Sequence, residues 1–363
     1  MAQTGTYDLN DLLGIDDQPA EIFGYDRLAQ VITTELNAVN AVVNEATALF
    51  AVDTIEREEG APTGGVGRMV RIDPDYARSR TQQTPRAAAK RGFPLEALEH
   101  AVGWTAMYLR MATPADVART TLDARGAYIG ALREGIMKAF FKPTNFTFYD
   151  YVTPDKMPVD VKAMANGDGE VPPTTSTGKR FSGSHNHYLA AAALSITEAT
   201  EVVRTVTEHY EGNRVVVYIS TDDEAAWKSL PGFAPYLPGN IIPLQTGPIG
   251  VGSLDISQTD DRPIGVLPNG AVVHTKPWIP FKYAIAINLN APRPLKRRLH
   301  RMAGLRGLFL ANENVAAPLQ ASAFQSYFGF GASERYAAAI LYTGGSVYTA
   351  PTFREYDDDE GSL

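Results

Sequence analysis

The chain has 363 residues, 44% hydrophobic and 20% charged, a balance that supports a folded core and argues against global disorder. Its formal net charge of −8 argues against a general basic surface that coats nucleic acid, though not against enclosing it. There is no cysteine, which removes disulfides, thiol nucleophiles and Cys-based metal sites; robustness has to come from packing or from contacts between copies.

Residues 1–24 carry Asp8, Asp11, Asp16, Asp17 and Glu21 but no Lys or Arg, show no sustained period, and are expected to form an extended, mobile arm. They lack the basic start and apolar core of a signal peptide, and no later run reaches membrane-spanning length, so cytoplasmic synthesis is expected. From Asp26, Leu28, Val31, Ile32, Leu36, Val39, Val43, Ala46 and Phe50 recur at three- and four-residue steps. The spacing predicts an amphipathic helix ending near Val52, its stripe facing either its own core or a neighbour.

Residues 56–100 are punctuated by Gly and Pro and hold only short strand-like stretches such as RMVRI. Within them, residues 68–91 carry Arg68, Arg71, Arg78, Arg80, Arg86, Lys90 and Arg91 against only Asp73 and Asp75. Such a stretch is uncommon inside a compact domain, and a projecting two-stranded ribbon fits it best. An isolated hairpin is marginal in water, so this ribbon needs a surface to lie against.

A long helix is predicted over 114–141. Thr113 is its cap, Pro114 suits the first turn, Asp116 sits at the third position, and Lys142-Pro143 stops it. Leu122, Ile129, Leu132, Ile136, Met137 and Phe140 make its apolar stripe, while Gly126, Gly130 and Gly135 leave small faces. Residues 151–190 read as irregular. A capping box, Ser195 to Glu198, then opens a helix with Ala199, Val203, Val206 and Tyr210 on one face and Gly212 as its stop. The buried-strand run RVVVYIS follows, with a second capping box, Thr221 to Glu224, leading into AAWKSL. Beyond Pro231 the pattern is β: PIGVL and AVVHT flank the turn Pro268-Asn269-Gly270, WIPFKYAIAINL is broken by Pro280, and FQSYFGFGASERYAAAILYTGGSVYTAP supplies the closing strands.

No catalytic constellation emerges. The one close histidine pair is in SHNH, His185 and His187, and the neighbouring sequence supplies no further metal ligands, so no metal or cofactor is expected. Gly247 to Ser253 is glycine-rich without dinucleotide or phosphate-loop spacing, and Lys179 lacks the upstream glycine of such a loop. Asp222, Asp223 and Glu224 are accounted for by helix capping, while Asp255, Asp260 and Asp261 have no specific pattern.

The order of these elements resembles the major capsid proteins of tailed bacteriophages, the Hong Kong 97-type fold shared with encapsulins. Within it, YFGFGASERYAAAILYTGGSVYTAP is similar to the closing strands. The resemblance implies an α+β chain with an N-terminal arm and helix at 1–54 and an extended loop (E-loop) at 55–105. It places a peripheral (P) domain at 106–194 with spine helix 114–141, and an axial (A) domain at 195–308. The P-domain return strands and an acidic tail then occupy 309–363.

The function it implies is structural rather than enzymatic: pentamers and hexamers forming an icosahedral shell around double-stranded DNA, in a virion assembled in the host cytoplasm. No long, charged helical segment precedes the arm, so a separate scaffolding protein, or prior removal of such a segment, is expected, with a portal and a decoration protein as further partners and no membrane. Contacts between copies are expected at Arg78, Arg80, Arg86, Lys90 and Arg91, with Asp16 and Asp17 as candidate acidic partners. Three alternatives remain: an encapsulin-type compartment shell, an α/β enzyme with a site near Ser220–Glu224, and a tail or decoration protein.

Overall fold

The computed structural model describes residues 7–60, 90–150, 152, 156–165, 168–172, 175, 178–210, 214–236, 262–312, 319 and 321–353. The reading of 61–89 as a ribbon, the stop at Gly212, the glycine-rich Gly247–Ser253 stretch, Asp255, Asp260 and Asp261, and the acidic tail lie outside these residues.

Residues 7–24 are docked rather than loose. Helices α1 (Leu9–Leu13) and α2 (Ala20–Phe23) bury Leu9, Leu12, Ala20 and Phe23. Asp8 caps α1 in a reciprocal box with Asp11, so part of the acidic run shapes a helix. Two backbone bonds tie the segment down, Ala20 N–H to the Ala112 carbonyl at 2.8 Å and Ala115 N–H to that of Ile15 at 3.1 Å.

Helix α3 (Tyr25–Thr47) turns Leu28, Val31, Ile32, Leu36, Val39 and Val43 into the chain's own core, while Ala46 is exposed. It stops at Thr47, short of Val52, because tertiary contacts override the period. Phe50 inserts between Phe140, Tyr218 and Trp278, and Val52 joins strand β1 (Ala51–Thr54).

Strands β2 (Glu58–Gly60) and β3 (Lys90–Gly92) pair antiparallel on either side of 61–89. Next come β4 (Glu96–Trp104), α4 (Ala106–Met111) and the long helix α5 (Pro114–Phe141). The capping box of α5 forms as read, Thr113 Oγ1 accepting from Asp116 N–H and Asp116 Oδ2 from Thr113 N–H. Strand β5 (Phe146–Tyr149) follows, and two short strands occupy the region read as irregular, β6 (Pro158–Val161) and β7 (Tyr188–Ala190).

Helix α6 (Ile196–Thr207), strand β8 (Val215–Ser220) and helix α7 (Glu224–Lys228) follow, then β9 (Ala234–Pro235), β10 (Pro263–Val266), β11 (Val272–Lys276), β12 (Tyr283–Asn288), β13 (Leu295–Leu299), β14 (Phe309–Asn312), β15 (Ala321–Ala332) and β16 (Ala338–Tyr342). A single 3-10 turn precedes α7. Ser220 caps that turn, and Thr221 does not.

Two sheets carry the fold. The larger runs β7-β16-β12-β8-β11-β10-β9 and is covered on both sides. Val215, Val217, Ile219, Ala284 and Ala286 face a core under α6, while Val216, Tyr218, Ile285 and Ile287 face the main core. That two-sided burial is why β8 and β12 read as unbroken apolar runs. In the second sheet β1 pairs in parallel with β13, and β15 carries β13 and β14 along one edge and β4 along the other.

Candidate functional site

The chain just after the 61–89 stretch is positioned by alternation along β15. In Phe328-Gly329-Phe330-Gly331 the two phenylalanines share one face of the strand and the two glycines the other. Phe328 meets Tyr128 of α5 edge-on, with ring centroids 5.9 Å apart. Phe330 lies so close to the helix that a Cβ on Gly135 would come within 2.9 Å of its ring.

On the opposite face the chain at 92–94 crosses. A Cβ on Gly329 would fall 2.4 Å from the Pro94 carbonyl oxygen, and one on Gly331 2.8 Å from that of Gly92. Gly92 is hemmed in as well, a Cβ there falling 2.4 Å from Val159 of β6. Phe93 and Leu95, between these contacts, are buried. The glycines therefore let two strands cross at backbone contact.

Buried charges lock the crossing. Strand β13 carries Lys296, Arg297 and Arg298, whose side chains alternate sides. Lys296 bonds Glu59 at 2.6 Å, and Ser333 Oγ donates to the same carboxylate oxygen at 3.1 Å. Arg297 makes a two-pronged contact with Asp53 at 2.7 and 2.8 Å and reaches Asn44. Arg298 donates to the Phe93 carbonyl and pairs at 2.7 Å with Asp150, which is fully buried. The basic run thus holds the chain's own acids.

A second knot joins Arg91 to Glu170 at 2.8 Å, and Arg335 to Glu170 and Asp168 at 2.6 and 3.0 Å. Arg335 also donates to the Ala163 and Met164 carbonyls. Burial pushes the carboxyls of Asp168 and Glu170 up, but their guanidinium partners outweigh it and hold both below the usual range.

The residues expected to meet neighbouring copies fall into three groups. Arg78, Arg80 and Arg86 lie outside the described residues. Lys90, Asp16 and Asp17 are exposed, and Lys90 pairs with Glu58 at 2.8 Å across the ribbon root. Arg91 differs from these: its side chain is 2% exposed and bound to Glu170 of the same chain.

Near Ser220–Glu224 the acids have structural work. Asp223 accepts from Lys282 N–H at 2.7 Å, and Glu224 pairs with Lys228 and Arg262. Capping therefore does not account for Asp223 and Glu224. Among the described residues, one group brings metal-ligating atoms together: His185, His187 and His209, all within 4.8 Å of one another. The sequence showed the first two as a pair and gave no sign of the third.

No protein-family model and no curated protein matches the chain. Solved structures do. A chain from Mycobacterium phage Patience is 18% identical, with 96% of each chain covered and a TM-score of 0.60. Weaker likenesses include the capsid of an empty GTA particle, at 13% identity over 82% of this chain and 90% of that one, TM-score 0.45. Another is the holo-SrpI encapsulin complex from Synechococcus elongatus, at 9% identity over 84% and 89%, TM-score 0.42. The fold is thus a mixed helix-and-sheet one, shared along nearly the whole chain with the Mycobacterium phage Patience protein.

Proposed function

We propose that this chain is a major capsid protein whose copies close into a shell around double-stranded DNA. The observation that carries the reading is the likeness in fold to the Mycobacterium phage Patience chain along 96% of both. The ribbon root supports it. Backbone contacts and a buried ion pair fix residues 92–94, just past the 61–89 stretch, which suits a stretch that must reach a neighbour.

On this reading 1–54 is the N-terminal arm and helix, 55–105 the E-loop, 106–194 the P-domain with its spine, 195–308 the A-domain, and 309–363 the return strands and tail. The A-domains meet at the centres of pentamers and hexamers, and the E-loop of one copy lies across the next. Arg78, Arg80, Arg86 and Lys90 then face acids of a neighbour, with Asp16 and Asp17 the exposed candidates. Each exposed pair contributes only about 0–1 kcal/mol, so the contact relies on repetition over the lattice.

Electron microscopy of the purified protein tests the reading, with closed polyhedral shells expected. Rings, trimers or tubes would count against it. Reversing Arg78, Arg80 and Arg86 to Glu should leave a folded subunit that fails to assemble, and normal particles from that variant would refute the role given to the ribbon.

A further inference from the structure

The loop that leads into β7 and the residues just past the end of α6 bring three imidazoles together. His185 and His187 come from the loop, and His209 sits two residues beyond α6. Their Nε2 atoms form a tight triangle: 2.8 Å from His185 to His209, and 3.0 Å from His187 to each of the others.

His187 is fully buried, and its Nδ1 lies 2.6 Å from the Ala338 carbonyl oxygen. A carbonyl can only accept, so Nδ1 carries the proton, and the neutral ring presents an unprotonated Nε2 to the triangle. His187 thus brings no proton to either of its two contacts. A hydrogen bond to a backbone carbonyl behind the ring is the usual way a metal-binding histidine is oriented.

The surroundings fix the geometry and exclude water. His209 is stacked between Phe181, at 4.2 Å between ring centroids, and Tyr336, at 5.1 Å. Its side chain is 3% exposed, against 18% for His185, which leaves one approach to the triangle. Glu208 stands alongside, its Oε1 3.4 Å from the Nε2 of His185 and 4.0 Å from that of His209.

We infer that His185, His187 and His209 form a binding site for a divalent transition-metal ion of the zinc type. Three nitrogen donors suit zinc and its first-row neighbours, whereas calcium and magnesium require oxygen ligands. Metal–nitrogen bonds of about 2.0–2.1 Å in a tetrahedron need nitrogens about 3.3 Å apart, so the triangle opens by a few tenths of an ångström on binding. The Glu208 carboxylate balances charge beside the ion. In a chain without cysteine, the ion ties the 178–187 loop to the end of α6 and, through His187, to β16. This site does not depend on the capsid reading.

The test uses the full-length chain without a polyhistidine tag, stripped with chelator and then given Zn²⁺ alone. About one zinc per chain is expected by elemental analysis after gel filtration. The melting temperature should rise by about 3 °C at a hundredfold excess over the dissociation constant. His209→Ala and His185→Gln should each cut uptake at least tenfold, and His300→Ala, which removes an imidazole elsewhere, should leave it unchanged. His185→Gln alters the most exposed of the three rings, so it serves if His209→Ala does not fold by circular dichroism. Co²⁺ in place of zinc should give the intense visible bands of a tetrahedral site. Uptake below a tenth of an ion per chain in the wild type, equal uptake by folded His185→Gln, or an equal melting shift with Ca²⁺ would overturn the site.

Discussion

The crossing at Gly329 gives a prediction whose sign depends on the packing. In a strand, Gly→Ala ordinarily stabilises by about 0.4–1 kcal/mol because it restricts the unfolded chain. Here the added methyl would lie 2.4 Å from the Pro94 oxygen and 2.8 Å from its carbonyl carbon, about 1 Å inside ordinary contact. The obstacle is backbone, held by Arg298 on the neighbouring Phe93 carbonyl and by the burial of Phe93 and Leu95, so no side chain can simply rotate away. Overpacking of this kind costs about 1–3 kcal/mol, so Gly329→Ala should be destabilised by about 1–2 kcal/mol net. Gly130→Ala is the control: it lies inside α5 with nothing within 4 Å of the added methyl, and should gain about 0.5–1 kcal/mol. Urea unfolding of unassembled subunits, followed by circular dichroism, reads both. If Gly329→Ala proves as stable as the wild type, the backbone crossing does not hold the root.

Arg335→Met leaves Asp168 and Glu170 with Arg91 as the remaining guanidinium of that knot, and should cost about 3–5 kcal/mol by urea unfolding. Adding Asp168→Asn and Glu170→Gln should recover part of that loss, and no recovery would refute the electrostatic account. His274, on β11, is pushed down to about 4, first by burial and then by Lys276. Below its unfolded value of 6.5 the unfolded chain takes a proton that the folded chain refuses, so stability falls as pH drops from 6.5 towards 4. The full effect is roughly 3 kcal/mol, read as the difference in pH slope between wild type and His274→Gln. Identical slopes would count against it.

What could be read from the sequence follows from where each element finds its partners. Helix α5 carries its own signals: Thr113, Pro114 and Asp116 start it, Pro143 stops it, and its period survives 28 residues. The docked arm carries no such signal, because Leu9 and Leu12 need a surface supplied by α5, a hundred residues away. The same holds for the knots. Arg91 reads as one more charge in a basic run until Glu170 is placed against it. His209 reads as a helix-end residue until the loop at 185–187 folds back on it.

The Phe-Gly-Phe-Gly stretch stands between these cases. Its alternation declares a strand with one bulky and one bare face, and only the fold says that the bare face is where residues 92–94 cross. A bare face is costly on a solitary strand, since glycine weakens it by about 0.5–1 kcal/mol at each position. Two glycines where residues 92–94 cross β15 therefore mark a geometric requirement. On the capsid reading, fixing the chain at 92–94 would bear on which neighbour the preceding stretch reaches. Disrupting the crossing should impair assembly before it unfolds the subunit, which sedimentation of Gly329→Ala particles alongside the urea curve would reveal.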